Sequence, residues 1–590
     1  MKRLRFLTAG ESHGPALVGI LEGMPAGLPL DSEEIDRDLR RRQMGYGRGG
    51  RMKIEQDAAK ILAGVRFGTT LGSPVALQIE NRDYANWTER MSAGPGGPDP
   101  AAVTTPRPGH ADLAGALKYG QTGDLRDVLE RASARETAMR VALGAVARAM
   151  LRNLGISIGS YTRNIGGIEA VGGADARPEL HRHDAEGLAL FADCSEVRAL
   201  DENSTKQLIE RIDDARRRRD TLGGAIEVVA TGVPPGLGSH VQWDRKLDGR
   251  LAQALLSIPA IKAVEVGDGW SAGALHGTQV HDPIHLVDER LRRGSNHAGG
   301  TEGGITNGEP LIIRAVMKPI ATVSNALPSV DLRTLHERRA HIERSDTCAV
   351  PAAGIVAEAM VALALADALL ETLGGDTMHG LRAPFARLRL STRARLGHVF
   401  LLGPMGAGKT SAGLILSHRL GRPFVDLDAR IEARAGASIA AIFRSAGESE
   451  FRRLEQIALE EACEQGPAVV ALGGGAVLGE FAWRRMREAG VTVRLHAPPW
   501  ELARRLAANE QAVEARPLLA GAGDTAGKLA EILREREHWY ARADLHLETT
   551  ALTAEEVAGA IVGLLRTIEG PLAPLAGGSG RGSPTAPDEP

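Results

Sequence analysis

Residues 403–410 read Gly-Pro-Met-Gly-Ala-Gly-Lys-Thr, and this match to GxxxxGK[ST] constrains the fold more than any other stretch of the chain. The motif needs a strand before it and a helix after it. Its glycine loop then wraps phosphate oxygens with backbone N–H groups at a helix N-terminus. Both flanks are present: His398-Val-Phe-Leu-Leu402 is a short apolar strand, and Lys409 to Leu420 reads as a helix closed by Gly421. In such a loop Gly406, Ala407, Gly408 and Ser411 line the phosphates of a nucleoside triphosphate. Lys409 neutralises the β- and γ-phosphates, and the Thr410 hydroxyl ligates Mg²⁺. The motif identifies a nucleotide and leaves the acceptor open.

Acceptor chemistry has to come from the residues that follow. Asp426-Leu-Asp428 succeeds the apolar Pro423-Phe-Val425 and is expected at a strand end. Strand alternation there puts both carboxylates on one side. One can organise Mg²⁺ through water, and the other can accept a hydroxyl proton; an ordinary exposed strand end is the competing reading. Phe451-Arg-Arg453 and Glu455 lie on a predicted helix. Gly473-Gly-Gly475 follows the strand Ala468–Leu472, which implies close backbone approach to a ligand. Arg452 and Arg536 can clamp a carboxylate, because guanidinium pairs with it bidentately. Taken singly, each arginine reads equally well as a solvated surface residue.

At 590 residues the chain is long enough for more than one domain, and its first ~385 residues carry a different signature. Glycine is 71 of 590 residues, well above the usual ~7 %, without a Gly-X-Y period. The excess gathers in loops at 45–50, 294–308, 403–408 and 473–475. Helices are expected from the capping patterns Asp31-Ser-Glu-Glu34 and Ser133-Ala-Arg-Glu136, the second running to about Leu154. An Ala-rich helix is expected over about Ala352–Leu373. Between them, loops carry His13 in Gly10-Glu-Ser-His-Gly14, Arg42, Arg48 and Arg51 in a glycine frame, and His110 in Arg107-Pro-Gly-His110. Arg131 to Glu136 is expected to open a helix and so offer donors to an anion. Lys318-Pro-Ile-Ala-Thr322 and Arg344-Ser-Asp346 add further charge. Each loop alone is unremarkable, and the runs Arg40–Arg42 and Arg216–Arg219 read as helix C-termini. Together they suit a small polyanion such as a phosphorylated carboxylate.

Several classes are excluded. The net charge of −3, from 71 Lys+Arg against 74 Asp+Glu, gives no global argument for nucleic acid. The three cysteines, Cys194, Cys348 and Cys463, are far apart and fit a reducing cytoplasm. The N-terminus has no apolar signal core, and no run of 18 apolar residues predicts a membrane span. No GxGxxG in a βαβ context supports a dinucleotide-binding dehydrogenase. Gly374-Gly375, Pro384 and the arginines that follow mark a break. The expected organisation is a first domain over 1–385, a connector over 386–396, a second domain over 397–569 and a disordered tail over 570–590.

In order and spacing, the Gly-Pro-Met-Gly-Ala-Gly-Lys-Thr, Phe-Val-Asp-Leu-Asp, Phe-Arg-Arg-Leu-Glu455, Gly-Gly-Gly, Arg516-Pro-Leu-Leu and Arg-x-x-x-Tyr540 motifs resemble shikimate kinase over about 397–567. The resemblance implies a P-loop three-layer α/β kinase with a parallel sheet, phosphorylating the shikimate 3-hydroxyl from ATP. It implies that Asp428 holds the acceptor hydroxyls and that Arg452, Gly474 and Arg536 hold the rest of the substrate. Arg516 is then a lid residue on the phosphates, and Asp426 supports Mg²⁺ beside Thr410. The lid segment Asn509–Ala515 is longer than usual. A P-loop kinase for another small hydroxy acid, or an inactive nucleotide-binding scaffold, stays open at this point.

The earlier loops resemble chorismate synthase over about 1–380. The matches are Thr-Ala-Gly-Glu-Ser-His-Gly-Pro15, Gly-Arg-Gly-Gly-Arg-Met-Lys-Ile-Glu55, Arg-Pro-Gly-His-Ala-Asp112, Arg-Ala-Ser-Ala-Arg-Glu-Thr137, Ala-Gly-Gly-Thr-Glu-Gly-Gly-Ile-Thr-Asn-Gly308 and Arg-Ser-Asp-Thr-Cys348. The resemblance implies a β-α-β sandwich, commonly a homotetramer, that eliminates phosphate from 5-enolpyruvylshikimate 3-phosphate and requires reduced FMN. By that likeness Arg42, Arg48, Arg135 and Arg344 bind the substrate anions, His13 and His110 manage protons, and Asp346 assists proton removal. FMN contacts fall on Arg131, Ala132, Ser133, Ala260, Gly303, Lys318, Pro319, Ile320, Ala321, Thr322 and Arg344. Pro259 stands where a polar residue is common. The chain has no recognisable nicotinamide domain, so an external flavin reductant is expected. The two reactions are not consecutive in their pathway, so direct channelling is not implied.

Overall fold

The computed structural model describes residues 3–49, 56–95, 99, 101–170, 185–287, 290–343, 345–393, 396–508 and 524–569. Arg344, Arg516, the lid stretch 509–515 and the expected tail 570–590 lie outside them. The chain forms two compact units, Met1–Pro283 with Arg293–Met378, and Ile284–Arg292 with His379–Pro590.

The first unit is built on two antiparallel sheets. One has the order β1-β2-β4-β3, from β1 (Arg5–Ala9), β2 (Ala16–Glu22), β3 (Ala59–Ala63) and β4 (Val75–Glu80). The other has the order β8-β9-β7-β5-β6, from β5 (Ser157–Ile165), β6 (Ile168–Glu169), β7 (Gly224–Thr231), β8 (Ile261–Val266) and β9 (Leu311–Met317). Helix α1 spans Ser32–Gln43, α2 Arg126–Ala132, α3 Thr137–Asn153, α4 Leu247–Leu256 and α5 Val350–Leu373. Helix α3 packs on β2 and β4, α5 packs on β5 and β7, and the two helices pack on each other, giving the expected sandwich.

Asp31 caps α1 by accepting the Glu33 N–H at 3.0 Å. Glu34 does not close the box; its carboxylate pairs with Arg152 of α3. The second capping pattern opens a short 3₁₀ turn, Ala134–Glu136, before α3 begins. Arg131 therefore sits in the last turn of α2, not at a helix start. Helix α5 is long and apolar enough to cross a membrane, yet it is almost wholly buried as a core helix. Pro351 suits its first turn, where no intrahelical N–H bond is lost.

The second unit has a five-stranded, all-parallel sheet of order β11-β12-β10-β13-β14, from β10 (His398–Leu402), β11 (Phe424–Asp426), β12 (Val469–Ala471), β13 (Gly490–His496) and β14 (Leu545–Glu548). Two apolar clusters, one around Val399, Leu416 and Val493 and the other around Phe400, Leu459 and Trp483, contain residues of alternate strand faces. Helix α6 (Met378–Leu390) runs through Pro384 and through 386–390, the start of the segment read as connector. The proline removes one helical N–H, but Leu381, Phe385, Ala386 and Leu390 are buried and hold the helix down. The division between the units falls at Met378/His379.

Candidate functional site

The first unit encloses a cavity of about 500 Å³. Its described walls include His13, Arg42, Arg48, Arg135, His110 and Asp346, all expected from the sequence, with Ala132, Ser133, Ala260, Lys318, Ile320, Ala321 and Thr322. Arg107, Ser12 and Glu343 also line it. The apolar part of the wall comes from Leu129, Ile258, Met317 and from Ala352, Ala353 and Val356 of α5.

Cations dominate the lining. Arg42, Arg48, Arg107, Arg135 and Lys318 face Glu343 and Asp346. Helix α1 delivers Arg42, which donates to Thr137 Oγ1 at 2.9 Å and Ala134 O at 3.0 Å. Arg135 donates to Asp57 Oδ1 at 2.6 Å and to Asn81 Oδ1 at 3.0 Å. Burial pushes the Arg42 guanidinium down to about 10, Asp57 opposes this, and Arg48 and Arg135 add to it. It stays charged at neutral pH, in a field that an anionic ligand would relieve.

Both histidines are backed by carboxylates. His13 Nδ1 donates to Glu130 Oε1 at 2.9 Å. His110 Nδ1 donates to Asp112 Oδ1 at 2.5 Å. Burial alone would raise the Asp112 carboxyl, but hydrogen bonds from His110 and Arg107 outweigh it and hold the group far below the usual range. Asp346 accepts the Gly49 N–H at 2.6 Å and pairs with Arg48 at 2.8 Å. Lys318 Nζ donates to Gly109 O, and Arg107 Nη1 donates to Thr322 Oγ1 at 2.9 Å.

Two expected flavin contacts fall elsewhere. Arg131 is not part of the wall and donates to Thr8 O at 2.9 Å and Gly10 O at 3.2 Å. Gly303 is in the tight turn between the strand pairs Thr301–Glu302 and Ile305–Thr306 and is not part of the wall. Pro319 is not in the wall either, although its neighbours on both sides are. Glu130, Asp57 and Trp87 had no role in the sequence reading. Asp112 was legible as part of the His110 loop. Glu130 adjoins Arg131, but its partner is 117 residues away.

In the second unit, β10 runs into the glycine loop and helix α7 (Lys409–Leu420). Gly406 and Gly408 have φ of 80° and 90°, which a side chain would strain. Lys409 Nζ donates to Gly403 O at 2.8 Å and Pro404 O at 3.0 Å. Thr410 Oγ1 donates to Asp426 Oδ2 at 2.9 Å. Asp426 ends β11 and caps α8 (Leu427–Ala435), accepting the Asp428 N–H at 3.1 Å. The two carboxylates thus straddle a strand-to-helix junction; strand alternation does not relate them.

The three glycines of 473–475 form a wall pressed by charged groups. A Cβ on Gly473 would lie 2.5 Å from Asp428 Oδ1, and one on Gly475 would lie 2.1 Å from Arg452 Nη1. Arg536 and Tyr540, from helix α10 (Thr525–Tyr540) once α9 (Ile439–Glu464) is counted, donate to Gly474 O at 2.9 and 2.6 Å. Arg452, on α9, pairs with Glu455 at 2.6 Å and Glu448 at 3.0 Å. Burial raises the Glu455 carboxyl; Arg452 opposes this and Asp428 reinforces it. Asp428, Arg452, Gly474 and Arg536 are therefore brought together. Among the described residues no three His, Cys, Asp or Glu side chains converge as a metal site.

Family models for chorismate synthase and shikimate kinase match residues 4–370 and 405–566. The chorismate synthase of Aquifex aeolicus (strain VF5) is 55 % identical over 391 residues, 65 % of this chain and 97 % of that protein. That of Symbiobacterium thermophilum is 55 % identical over 382 residues, 64 % of this chain and 96 % of its own length. A crystal structure of a chorismate synthase superposes with a TM-score of 0.53 at 44 % identity, covering 66 % of this chain and 98 % of the other. The chain belongs to the chorismate synthase family through its first unit and carries a shikimate kinase domain in its second, the composition of a bifunctional shikimate-pathway enzyme.

Proposed function

We propose that the first unit eliminates phosphate from 5-enolpyruvylshikimate 3-phosphate with reduced FMN, and that the second phosphorylates the shikimate 3-hydroxyl from ATP with Mg²⁺. The observation that carries the first reading is one cavity that combines two carboxylate-backed histidines with a surplus of cations. Arg42, Arg48 and Arg135, with Arg344, neutralise the substrate's phosphate and carboxylates. His13 and His110 hold protons at the leaving group and the flavin edge. Asp346, fixed by Arg48 and Gly49, assists removal of the proton that the substrate loses.

The cavity suits FMN on its own terms: an apolar wall for a flat ring beside Lys318, Thr322 and Arg107 for a phosphate. Ala132, Ser133, Ala260, Ile320 and Ala321 would hold the ring, with Pro319 in the same run. When bound, reduced FMN supplies the electron density that lets phosphate leave without net redox change. Phosphate release, measured anaerobically, is expected only with reduced FMN. Flavin-independent release would overturn the reading.

In the second unit Lys409 moves from its loop carbonyls onto the β/γ-phosphates. Gly406, Ala407, Gly408 and Ser411 line the phosphate chain, and Arg516, outside the described residues, is read as a further phosphate contact. Thr410, with Asp426 beside it, would hold Mg²⁺, which would neutralise charge on the β- and γ-phosphates. Asp428 accepts the hydroxyl proton, and Arg452 and Arg536 face the carboxylate. An acceptor panel with coupled ADP detection is expected to single out shikimate. Phosphorylation of another hydroxy acid in its place, or no ADP with any acceptor, would sink this reading.

The three free cysteines fit a cytoplasmic enzyme. The exposed residues Leu7, Val18 and Ile20 of β1 and β2 support a homotetramer built on the first unit. An external reductant supplies the reduced flavin.

A further inference from the structure

His13 is fixed from behind by contacts that lie outside the cavity wall. Its Nδ1 lies 2.9 and 3.0 Å from the two oxygens of Glu130, and its backbone N–H donates to Glu130 Oε2 at 2.8 Å. The neighbouring Ser12 N–H donates to the Glu130 carbonyl at 3.1 Å. The Trp87 ring stacks on the imidazole with centroids 4.1 Å apart. Glu130 is only 3 % exposed and is joined by Arg126 Nη1 at 3.2 Å, while the Arg126 guanidinium also lies 4.9 Å from the Trp87 ring centre.

A buried carboxylate is costly, and packing alone gives no reason to place one against a histidine. Chemistry gives one. A carboxylate that accepts the Nδ1 proton fixes the tautomer and leaves Nε2 as the ring nitrogen available to the cavity. The same order, arginine to carboxylate to histidine Nδ1, recurs in Arg107, Asp112 and His110. Two unrelated segments of the chain thus arrive at one arrangement.

We propose that Glu130 is a positioning residue for proton transfer by His13: it holds the Nδ1 proton and turns Nε2 toward the substrate, with Trp87 setting the ring plane. The assignment rests on the reading of the cavity as a phosphate-eliminating site. It is tested in the full chain with FMN by Glu130→Gln, which removes the charge and keeps the shape. Expected are a fall in kcat of about 10²-fold with KM within about threefold. In a His13→Ala background the same change is expected to cost less than about twofold, because its route is already gone. Glu130→Asp, a milder change should Glu130→Gln fold poorly, is expected to lower kcat about tenfold. In ¹⁵N-histidine spectra of the ligand-free chain, Glu130→Gln should shift one histidine from the Nδ1–H form toward Nε2–H. Unchanged kcat in both variants, or a full additive loss in the His13→Ala background, would overturn the assignment alone. An unaltered chain that releases no phosphate with reduced FMN overturns the reading of the cavity and the assignment with it.

Discussion

Asp428→Asn is expected to slow shikimate phosphorylation by about 10³-fold while leaving KM for ATP within about twofold. Asparagine keeps the shape of the side chain and cannot take a proton. The substitution also leaves the start of α8 intact, because the cap there is the Asp426 carboxylate accepting the Asp428 backbone N–H. The nucleotide-facing groups, Lys409 and Thr410, stand on a different element. Phosphate elimination by the first unit serves as an internal control and should not change. Steady-state assays of both reactions on one preparation measure this. A kinase rate within about fivefold of the unaltered chain would show that another group, Glu455 being the nearest alternative, takes the proton.

Glu358→Gln should destabilise the first unit by about 3–5 kcal/mol. Glu358 of α5 is 1 % exposed. It accepts from Arg41 at 2.7 and 3.0 Å, Arg148 at 2.8 Å, Arg198 at 3.3 Å and Ser160 at 2.7 Å. Asp38 and Asp193 complete the cluster, so three arginines meet three carboxylates. Losing one carboxylate leaves buried guanidinium charge without its counterpart. Burial would raise the Glu358 carboxyl, but Arg41, Arg148 and Arg198 win and hold it at about 2, below its ordinary 4.5. Because the folded value is the lower one, this contribution is complete above about pH 4.5 and fades as pH falls toward 2. Denaturant melts of the first unit at pH 7 and pH 3 test both parts. The variant should be weaker at pH 7 and lose less than the unaltered chain on acidification. A pH 7 loss below about 1 kcal/mol would refute the argument.

What was legible in the sequence was local. The strand His398–Leu402, the helix Lys409–Leu420 and its closure at Gly421 appear where the pattern placed them, because phosphate-loop geometry is set within about 20 residues. Asp31 caps α1 for the same reason. Arg131 and Asp428 were misplaced because each lies beside a junction between elements: Arg131 is in the last turn of α2 where a helix start was expected, and Asp428 is in the first turn of α8, two residues past the end of β11. The helix over Met378–Leu390 was missed because its buried face, not its propensity, overrides Pro384. Glu130 and Glu358 were invisible for another reason: His13, and Arg41, Arg148 and Arg198, reach them from segments far along the chain, and no local pattern records such a meeting.

The glycine wall at 473–475 has a consequence for how this kinase site can diversify. Enzyme specificity ordinarily drifts by trading one side chain for another around the ligand. Here the wall is bare main chain, and at Gly473 and Gly475 even a methyl group would strike Asp428 or Arg452. A substitution at either position therefore acts on the acceptor at second hand, by displacing the Asp428 carboxylate or the Arg452 guanidinium from where the glycines let them lie.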